Sequence, residues 1–322
     1  MKTQFNLTTS PDDLQRFKDQ DELLALLKGF DGLEIMVLGE DERGILPKEK
    51  VIGLHMTSIP YWLDFWQGDM AACLREFDRL ENIRAYYGGE SREALLARWH
   101  KDWENAKAYE AEYVVFHVGH CSLAEALTNR YQHTDAQVIA ATCDLLNQLL
   151  AEEKEGPWLL LENLWEPGLT LRDPAMVQTL LRGIHYPRTG LMLDTGHLLH
   201  TNLSLRSQKE GLAYIHQVLD QLGDLCERIQ GVHLHQSLSG REIKGNMAHP
   251  PQLGATYPER AAQMFSYVFQ IDRHWPFTCP GVRGLIERIK PRYLTYEFIS
   301  RSKEEFQTML RRQKRALAKK GC

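Results

Sequence analysis

The chain has 322 residues, of which 43% are hydrophobic and 25% are charged. These proportions are ordinary for a globular protein, and they exclude disordered, collagen-like and low-complexity chains. The formal net charge of −5 shows no basic excess of the kind that indicates a polyanionic partner such as a nucleic acid.

Short apolar segments with turn residues on both sides alternate with longer segments of helical spacing. The predicted strands are residues 4–8, 32–38, 51–56, 112–118, 158–162, 190–194, 231–235 and 292–298. The predicted helices are residues 11–27, 92–108, 136–153, 174–183, 209–222, 258–270 and 303–319.

This alternation predicts a parallel sheet, because parallel neighbours need crossover connections. Eight such units close a (β/α)8 barrel. An open doubly wound sheet is the alternative, but no G-x-G-x-x-G turn follows any of the strands. Since the chain shows no internal repeat and no Gly/Ser linker, we predict an α/β fold in which one TIM barrel spans residues 1–322 as a single domain.

The beginning of the chain, MKTQFNLTTSPDD, lacks the apolar run of a signal peptide, and no stretch of about 18 apolar residues occurs. Six cysteines are scattered without close pairs, so neither a CxxC zinc knuckle nor a disulfide framework is expected. We therefore expect a cytoplasmic protein with reduced thiols and no membrane partner. The sequence favours no particular oligomeric state.

Imidazole and carboxylate side chains stand at or just beyond the ends of six predicted strands. They are His55, His117, His120, Glu162, Asp194, His197, His233, His235 and Glu297. A single histidine there is most often satisfied or solvent-facing, but buried carboxylates are costly unless they are paired or bind a metal. The whole set, aimed at the carboxyl mouth of a barrel, predicts a divalent metal site. Zn or Mn is favoured, and Fe, Co or Mg are further candidates.

Two of these strand ends each carry two candidate metal-binding or substrate-binding residues. In LMLDTGH, Asp194 ends the strand, Gly196 is expected to let the backbone turn, and His197 re-enters the mouth. In GVHLHQ, His233 and His235 are two residues apart and are expected to share a face of the strand, so that one binds metal and the other contacts substrate.

The motifs LLLENL, LMLDTGH, GVHLHQS, MAHPPQLG and TYEF, in this order, resemble those of the xylose isomerase-like TIM-barrel superfamily. That superfamily includes sugar epimerases, sugar-phosphate isomerases and endonuclease IV. The resemblance implies a metal held by Glu162, Asp194, His233 and Glu297. It also implies that Glu162 and Glu297 serve as an acid/base pair, as in the epimerases, and that His197 is a substrate or second-metal position.

The nuclease branch of the superfamily has additional metal ligands. The resemblance places them at His55, His117 and His249. In MAHPPQLG, however, Met247 stands where that branch has the Asp of an Asp-x-His motif. We expect this loss to be compatible with a two-metal site but not with a three-zinc phosphodiesterase site.

Three functions are open at this point. The favoured one is a metal-dependent isomerase or epimerase of a small sugar or sugar phosphate, in which paired glutamates transfer a proton and Trp62, His235 and Arg241 contact substrate. The alternative is a phosphodiester hydrolase that resembles endonuclease IV, with clustered metals on the attacking and leaving oxygens. A nucleic acid is the less favoured substrate because of the acidic charge balance. A non-catalytic binding barrel is the third function, and the many carboxylates and histidines argue against it.

Residues 59–88 are rich in Trp, Tyr and Phe and are read as a long loop. Long loops in compact domains are usually functional. We therefore predict that this segment forms a lid or wall over the mouth of the barrel.

Overall fold

The computed structural model describes residues 1–318. Eight parallel strands close a barrel in sequence order, and the last strand pairs with the first. The strands are β1 Lys2–Thr8, β2 Gly32–Met36, β3 Val51–His55, β4 Tyr113–His117, β5 Trp158–Glu162, β6 Thr189–Asp194, β7 Ile229–His233 and β8 Tyr293–Tyr296. The predicted (β/α)8 TIM barrel is confirmed.

Helices surround the barrel and also lie at its carboxyl end. The α-helices of the described residues are α1 Pro11–Leu14, α2 Gln20–Leu26, α3 Leu63–Gln67, α4 Met70–Phe77, α5 Leu80–Tyr87, α6 Arg92–Ala108, α7 Leu123–Thr128, α8 Asp135–Leu149, α9 Pro174–Gly183, α10 Thr195–His200, α11 Gln208–Leu222, α12 Gly240–Ala248, α13 Tyr257–Ile271, α14 Val282–Ile289 and α15 Lys303–Ala318. Two 3-10 helices occur at Lys48–Lys50 and Gly223–Arg228.

The strands are apolar on both faces because each face is covered. On β5, Leu159 and Leu161 pack in the large core between strands and helices, whereas Leu160 points into the barrel. The barrel interior is filled by side chains, as in other TIM barrels. They are Ile52, Tyr113, Val115, Leu160, Met192 and Tyr293.

Several predicted boundaries need correction. The single helix predicted over residues 11–27 is two helices, because Asp19 caps a new start and its side chain accepts a hydrogen bond from Glu22 N at 3.0 Å. The strand predicted over residues 231–235 is β7, which ends at His233, so His235 lies in the following loop and not on a shared strand face. Lys319, predicted to end the last helix, lies outside the described residues.

Residues 59–88 form three short helices, α3 to α5, in place of the expected long loop. Two of these helices end at glycines with positive φ, Gly68 at 79° and Gly88 at 84°. Such a left-handed residue is a common way to stop a helix, and glycine adopts it without a steric penalty.

Of the six cysteines, Cys322 lies outside the described residues. The other five form no disulfide, which agrees with the expectation of free thiols. Within residues 1–318, no helix has both the length and the apolar character needed to cross a membrane.

Candidate metal centre at the carboxyl end of the barrel

The carboxyl ends of six neighbouring strands carry titratable side chains. The last residues of β3, β4, β5, β6 and β7 and the residue after β8 are His55, His117, Glu162, Asp194, His233 and Glu297. Because parallel strands of a barrel end at one rim, these side chains meet there. Their donor atoms fall into overlapping groups, each spanning no more than 4.8 Å.

The central group consists of Glu162, Asp194, His233 and Glu297. His233 Nδ1 lies 3.3 Å from Glu162 Oε1, 3.3 Å from Glu297 Oε2 and 3.7 Å from Asp194 Oδ2. A tetrahedral zinc ion with bonds of about 2.0 Å holds neighbouring donors about 3.3 Å apart. The spacing in the central group therefore fits one divalent ion.

The His55 group consists of His55, His117 and Glu162. The Nε2 atoms of His55 and His117 lie 3.1 and 3.2 Å from Glu162 Oε2. Glu162 thus directs Oε1 to the central group and Oε2 to the His55 group. One carboxylate shared in this way can bridge two ions.

The Asp272 group consists of His197, His235, Asp272 and His274. Asp272 Oδ2 lies 3.4 Å from His197 Nε2 and 2.8 Å from His274 Nε2. His235 Nε2 lies 2.7 Å from Asp194 Oδ2, which connects this group to the central one. A third ion could be held here.

Asp272 and His274 were not among the residues predicted from the sequence. They follow α13 in a loop, away from any strand end, although Asp272-Arg273-His274 is itself an Asp-x-His motif. The expectation that this motif lies at Met247–His249 is therefore wrong. The helix α12 carries His249 to an exposed position, and His249 belongs to none of the donor groups found among residues 1–318.

Each of five imidazoles is held by one ring nitrogen and directs the other at a carboxylate. The positioning bonds are His55 Nδ1 to Met56 O (2.8 Å), His117 Nδ1 to Ser58 Oγ (3.2 Å), His197 Nδ1 to Asn163 O (3.0 Å), His233 Nε2 to Glu34 Oε1 (2.9 Å) and His274 Nδ1 to Glu297 O (3.3 Å). This arrangement is typical of metal-ligating histidines, in which the outer partner fixes the tautomer and the ring orientation.

Glu34, on β2, was also missed by sequence reasoning, since it stands inside the apolar strand GLEIM. The signal that could have revealed it is the carboxylate itself, which an apolar strand does not accommodate without partners. In addition to His233, its Oε2 accepts hydrogen bonds from Tyr113 Oη at 2.5 Å and Thr295 Oγ1 at 3.0 Å. Burial is the largest single cause and raises the pKa of Glu34, but the charges of His233 and His55 and the hydrogen bonds from His233 and Tyr113 together lower it overall.

Four buried donor atoms of these groups have no hydrogen-bond partner within the described residues: Glu162 Oε1, Glu297 Oε2, His233 Nδ1 and His235 Nδ1. An unsatisfied buried polar atom costs about 1–3 kcal/mol, and a bound cation would remove that cost.

The electrostatics of the cluster also favour a cation. Burial is the largest cause that raises the pKa of Glu297 to about 7, and the charges of Asp194 and Glu162 act in the same direction, against those of His233 and His274. The carboxylates therefore repel one another despite the nearby imidazoles. By donor type, donor spacing, orphaned atoms and charge, the residues present fit divalent metal ions.

The three residues predicted to contact substrate lie in different parts of the structure. Trp62 is buried, donates its Nε1–H to Gly119 O at 2.8 Å, and lines a cavity beside the donor groups. His235 lies within the Asp272 group. Arg241 is exposed on the first turn of α12 and is not among the residues that line this cavity, so the structure does not bring it to the site.

The cavity has a volume of about 320 Å³ and is called here the aromatic cavity. His117, His197 and Asp272 line one side of it. Other parts of its lining come from the segment 59–88 together with α7 and α13. The prediction that this segment forms a wall at the mouth therefore agrees with the structure.

Comparison with known proteins identifies relatives at the level of the fold. A family model described as the xylose isomerase-like TIM barrel matches residues 24–295. The structure of a "Putative Xylose isomerase" from Rhodospirillum rubrum is 16% identical, with a TM-score of 0.56 and full coverage of both chains. The IolI protein with a bound zinc atom is 13% identical, with a TM-score of 0.52, over 98% of this chain and 96% of that one. At these identities the structural likeness shows the fold alone. No curated protein sequence matches the chain significantly.

Proposed function

This chain belongs to the xylose isomerase-like TIM-barrel family, and we propose that it is an enzyme of that superfamily that hydrolyses a phosphodiester with the help of clustered divalent metal ions. The observation that supports the proposal is that three donor groups lie next to one another, two of them sharing a residue. Glu162 is shared by the central group and the His55 group, and Asp194 contacts the Asp272 group through His235. A sugar isomerase of the kind expected from the sequence needs only the central group.

The sequence spoke against a three-zinc phosphodiesterase site, though not against a two-metal one, because Met247 stands in place of the Asp of the Asp-x-His motif. Asp272 removes that objection, since it lies with His274 and His197 in one donor group. On this proposal His274 takes the role expected of His249, and nine residues would hold the ions. They are His55, His117, Glu162, Asp194, His197, His233, Asp272, His274 and Glu297.

In the hydrolysis, water adds across one P–O ester bond and gives a phosphomonoester and an alcohol. When bound, clustered ions would supply positive charge to the attacking and leaving oxygens of an in-line displacement. The chain's own residues hold this arrangement rigid: Glu162 presents one oxygen to each of two groups, and the imidazoles are fixed by their outer hydrogen bonds. Glu297, whose Oε2 has no hydrogen-bond partner among the described residues, would complete the ligands of the central group.

A sugar isomerase or epimerase is the second candidate, because Glu162 and Glu297 both lie 3.3 Å from His233 Nδ1 within the central group. Two glutamates at one ion are suited to removing and returning a proton next to a carbonyl. On this reading, His55, His117 and His274 would contact substrate or support other side chains, and they would bind no ion.

A metal count separates the two candidates. Protein prepared without added ions is loaded with Zn or Mn, freed of excess ion and measured by mass spectrometry, and hydrolysis of bis(4-nitrophenyl) phosphate is followed by release of 4-nitrophenolate. We expect two or three ions per chain in the wild type, and one fewer in both His117→Ala and His274→Ala, with loss of hydrolysis. His249→Ala is the matched control, because this exposed histidine should change neither quantity. One ion per chain in the wild type, unchanged in both variants, would contradict the hydrolase and support the isomerase.

A further inference from the structure

The aromatic cavity beside the donor groups has a chemical character that the proposed hydrolysis does not by itself require. Its walls are dominated by ring side chains, among them Tyr61, Trp62, Phe77, Trp99 and Phe116. Among residues 1–318, none of those that line it is a lysine or an arginine. Its volume of about 320 Å³ lies at the lower end of the range for small-molecule sites. An apolar ring fits these walls, whereas a group with further phosphates would meet no lysine or arginine side chain among the described lining residues.

Two phenylalanines at the rim of the cavity are exposed in the folded chain. Phe265 and Phe269 lie one turn apart on α13, are 58% and 59% exposed, and both line the cavity. Single exposed apolar side chains are common on protein surfaces. Two on one helix face at the entrance of an apolar cavity form a patch of the kind that marks a binding site. A ring that enters the cavity would remove part of this patch from water.

One side chain that lines the cavity has a buried polar atom without a partner. Glu166 is only 8% exposed and lines the cavity, and its Oε2 has no hydrogen-bond partner within the described residues. Its Oε1 lies 3.6 Å from Cys121 Sγ. Glu76 lines the same cavity, but it already accepts a hydrogen bond from Leu123 N at 2.7 Å. Of these two glutamates, Glu166 is the one with a buried oxygen that has no partner among the described residues.

We infer that the aromatic cavity binds an aromatic ring of the substrate, with a hydrogen-bonding group on the ring directed to Glu166, so that the hydrolysed ester is an aromatic phosphodiester. This inference rests on the proposed hydrolysis, because the ring is assigned to one of the two groups esterified to the phosphate. The placement follows from the lining: His117, His197 and Asp272 border the cavity on the side of the donor groups. If the ring packs against Phe265 and Phe269, the ester bond attached to it would lie beside the carboxylates and imidazoles of the donor groups. Burial raises the pKa of Glu166, which favours a hydrogen-bonding carboxyl group over a fully charged one.

The test measures ring binding without hydrolysis. Indole carries one N–H donor on an aromatic ring system, and 1-methylindole is nearly the same shape without that donor. Calorimetric titration of the purified protein should show that indole binds about tenfold more tightly than 1-methylindole, which is the ordinary worth of one hydrogen bond. In Glu166→Met, which keeps the length of the side chain but removes the carboxyl group, the two probes should bind equally. Equal binding of both probes to the wild type would overturn the role of Glu166.

Two neighbouring alanines on α13 provide a matched pair for the cavity itself. Ala261 lines the cavity, whereas Ala262 is exposed and does not. Ala261→Trp should fill the cavity and weaken indole binding at least tenfold, with the metal count unchanged, and Ala262→Trp should leave both quantities unchanged. Equal indole binding by the two variants, or no indole binding by the wild type, would overturn the inference. Failure of the proposed function would give a different result: the metal count would find one ion per chain, and the assay would find no phosphodiester hydrolysis.

Discussion

At the scale of single residues, the site is determined by which ring nitrogen each histidine keeps for positioning. In the neutral tautomer that donates its Nε2–H to Glu34, His233 has its Nδ1 lone pair directed at the central group. Glu34 is itself held by Tyr113 and Thr295, so a chain of buried hydrogen bonds connects β2, β4 and β8 to the orientation of one imidazole. Such outer partners are as important to a metal site as the ligands themselves.

We therefore predict that Glu34→Gln lowers metal affinity about 10- to 100-fold while the barrel still folds. The neutral amide keeps the shape of the side chain, but it removes the charge that fixes the tautomer of His233. Zinc affinity is measured by competition with a chromophoric chelator. Glu112→Gln is the control, since Glu112 pairs with Lys2 before the start of β4, at the opposite end of the strands. Equal losses of affinity in both variants would show that the effect is not specific to His233.

At the scale of elements, the junction between β6 and α10 shows how closely the backbone is fitted to the site. Asp194 ends β6 and caps α10, and its Oδ1 accepts a hydrogen bond from His197 N at 2.6 Å. Gly196 is needed here for close approach more than for the turn expected from the sequence. A Cβ at this position would lie 2.0 Å from His235 Cε1. The helix thus passes directly against a ring of the Asp272 group.

Gly196→Ala should accordingly displace His235, destabilise the fold by about 1–3 kcal/mol through overpacking, and lower the zinc content of the protein. Gly284→Ala is the matched control on α14, where a Cβ would meet nothing within 4 Å. That change should stabilise the helix by up to about 1 kcal/mol and leave the zinc content unchanged. Urea unfolding and metal analysis measure the two effects. A Gly196→Ala protein with wild-type stability and zinc content would refute this account of the junction.

The elements that could be predicted from sequence are those with a strong local signal. The strand WLLLE was predicted with its correct ends, because a buried parallel strand is an apolar run closed by a polar residue. The helices α3 to α5 were missed because none exceeds eight residues, too short for a helical period to be recognised. Asp272 and His274 were missed for another reason: they reach the site from a loop after α13, and only the closed barrel brings that loop to the strand ends.

At the scale of the whole molecule, the barrel has two regions with different chemistry. The middle of the interior is filled by apolar and tyrosine side chains such as Leu160 and Tyr293. The carboxyl end is filled by carboxylates and imidazoles from the ends of six strands and from the loops beyond them. Four buried atoms of these side chains lack hydrogen-bond partners in the described part of the chain. Divalent ions bound at this end would hold the ends of β3 to β8 together, as apolar packing does in the middle of the barrel.

Ion binding should therefore stabilise the whole barrel, since the donor groups exist only in the folded chain. An ion at 100 times its Kd stabilises the folded state by about 2.7 kcal/mol. For a chain of this length, each kcal/mol raises the Tm by about 1.5 °C, so each ion should contribute about 4 °C. Scanning calorimetry in EDTA and in zinc measures this shift. In His117→Ala, the rise in Tm on adding zinc should be smaller by the contribution of the ion in the His55 group. In His249→Ala the full rise should remain, because this imidazole is exposed and belongs to none of the donor groups found among residues 1–318. A shift of the same size in both variants would mean that His117 binds no ion.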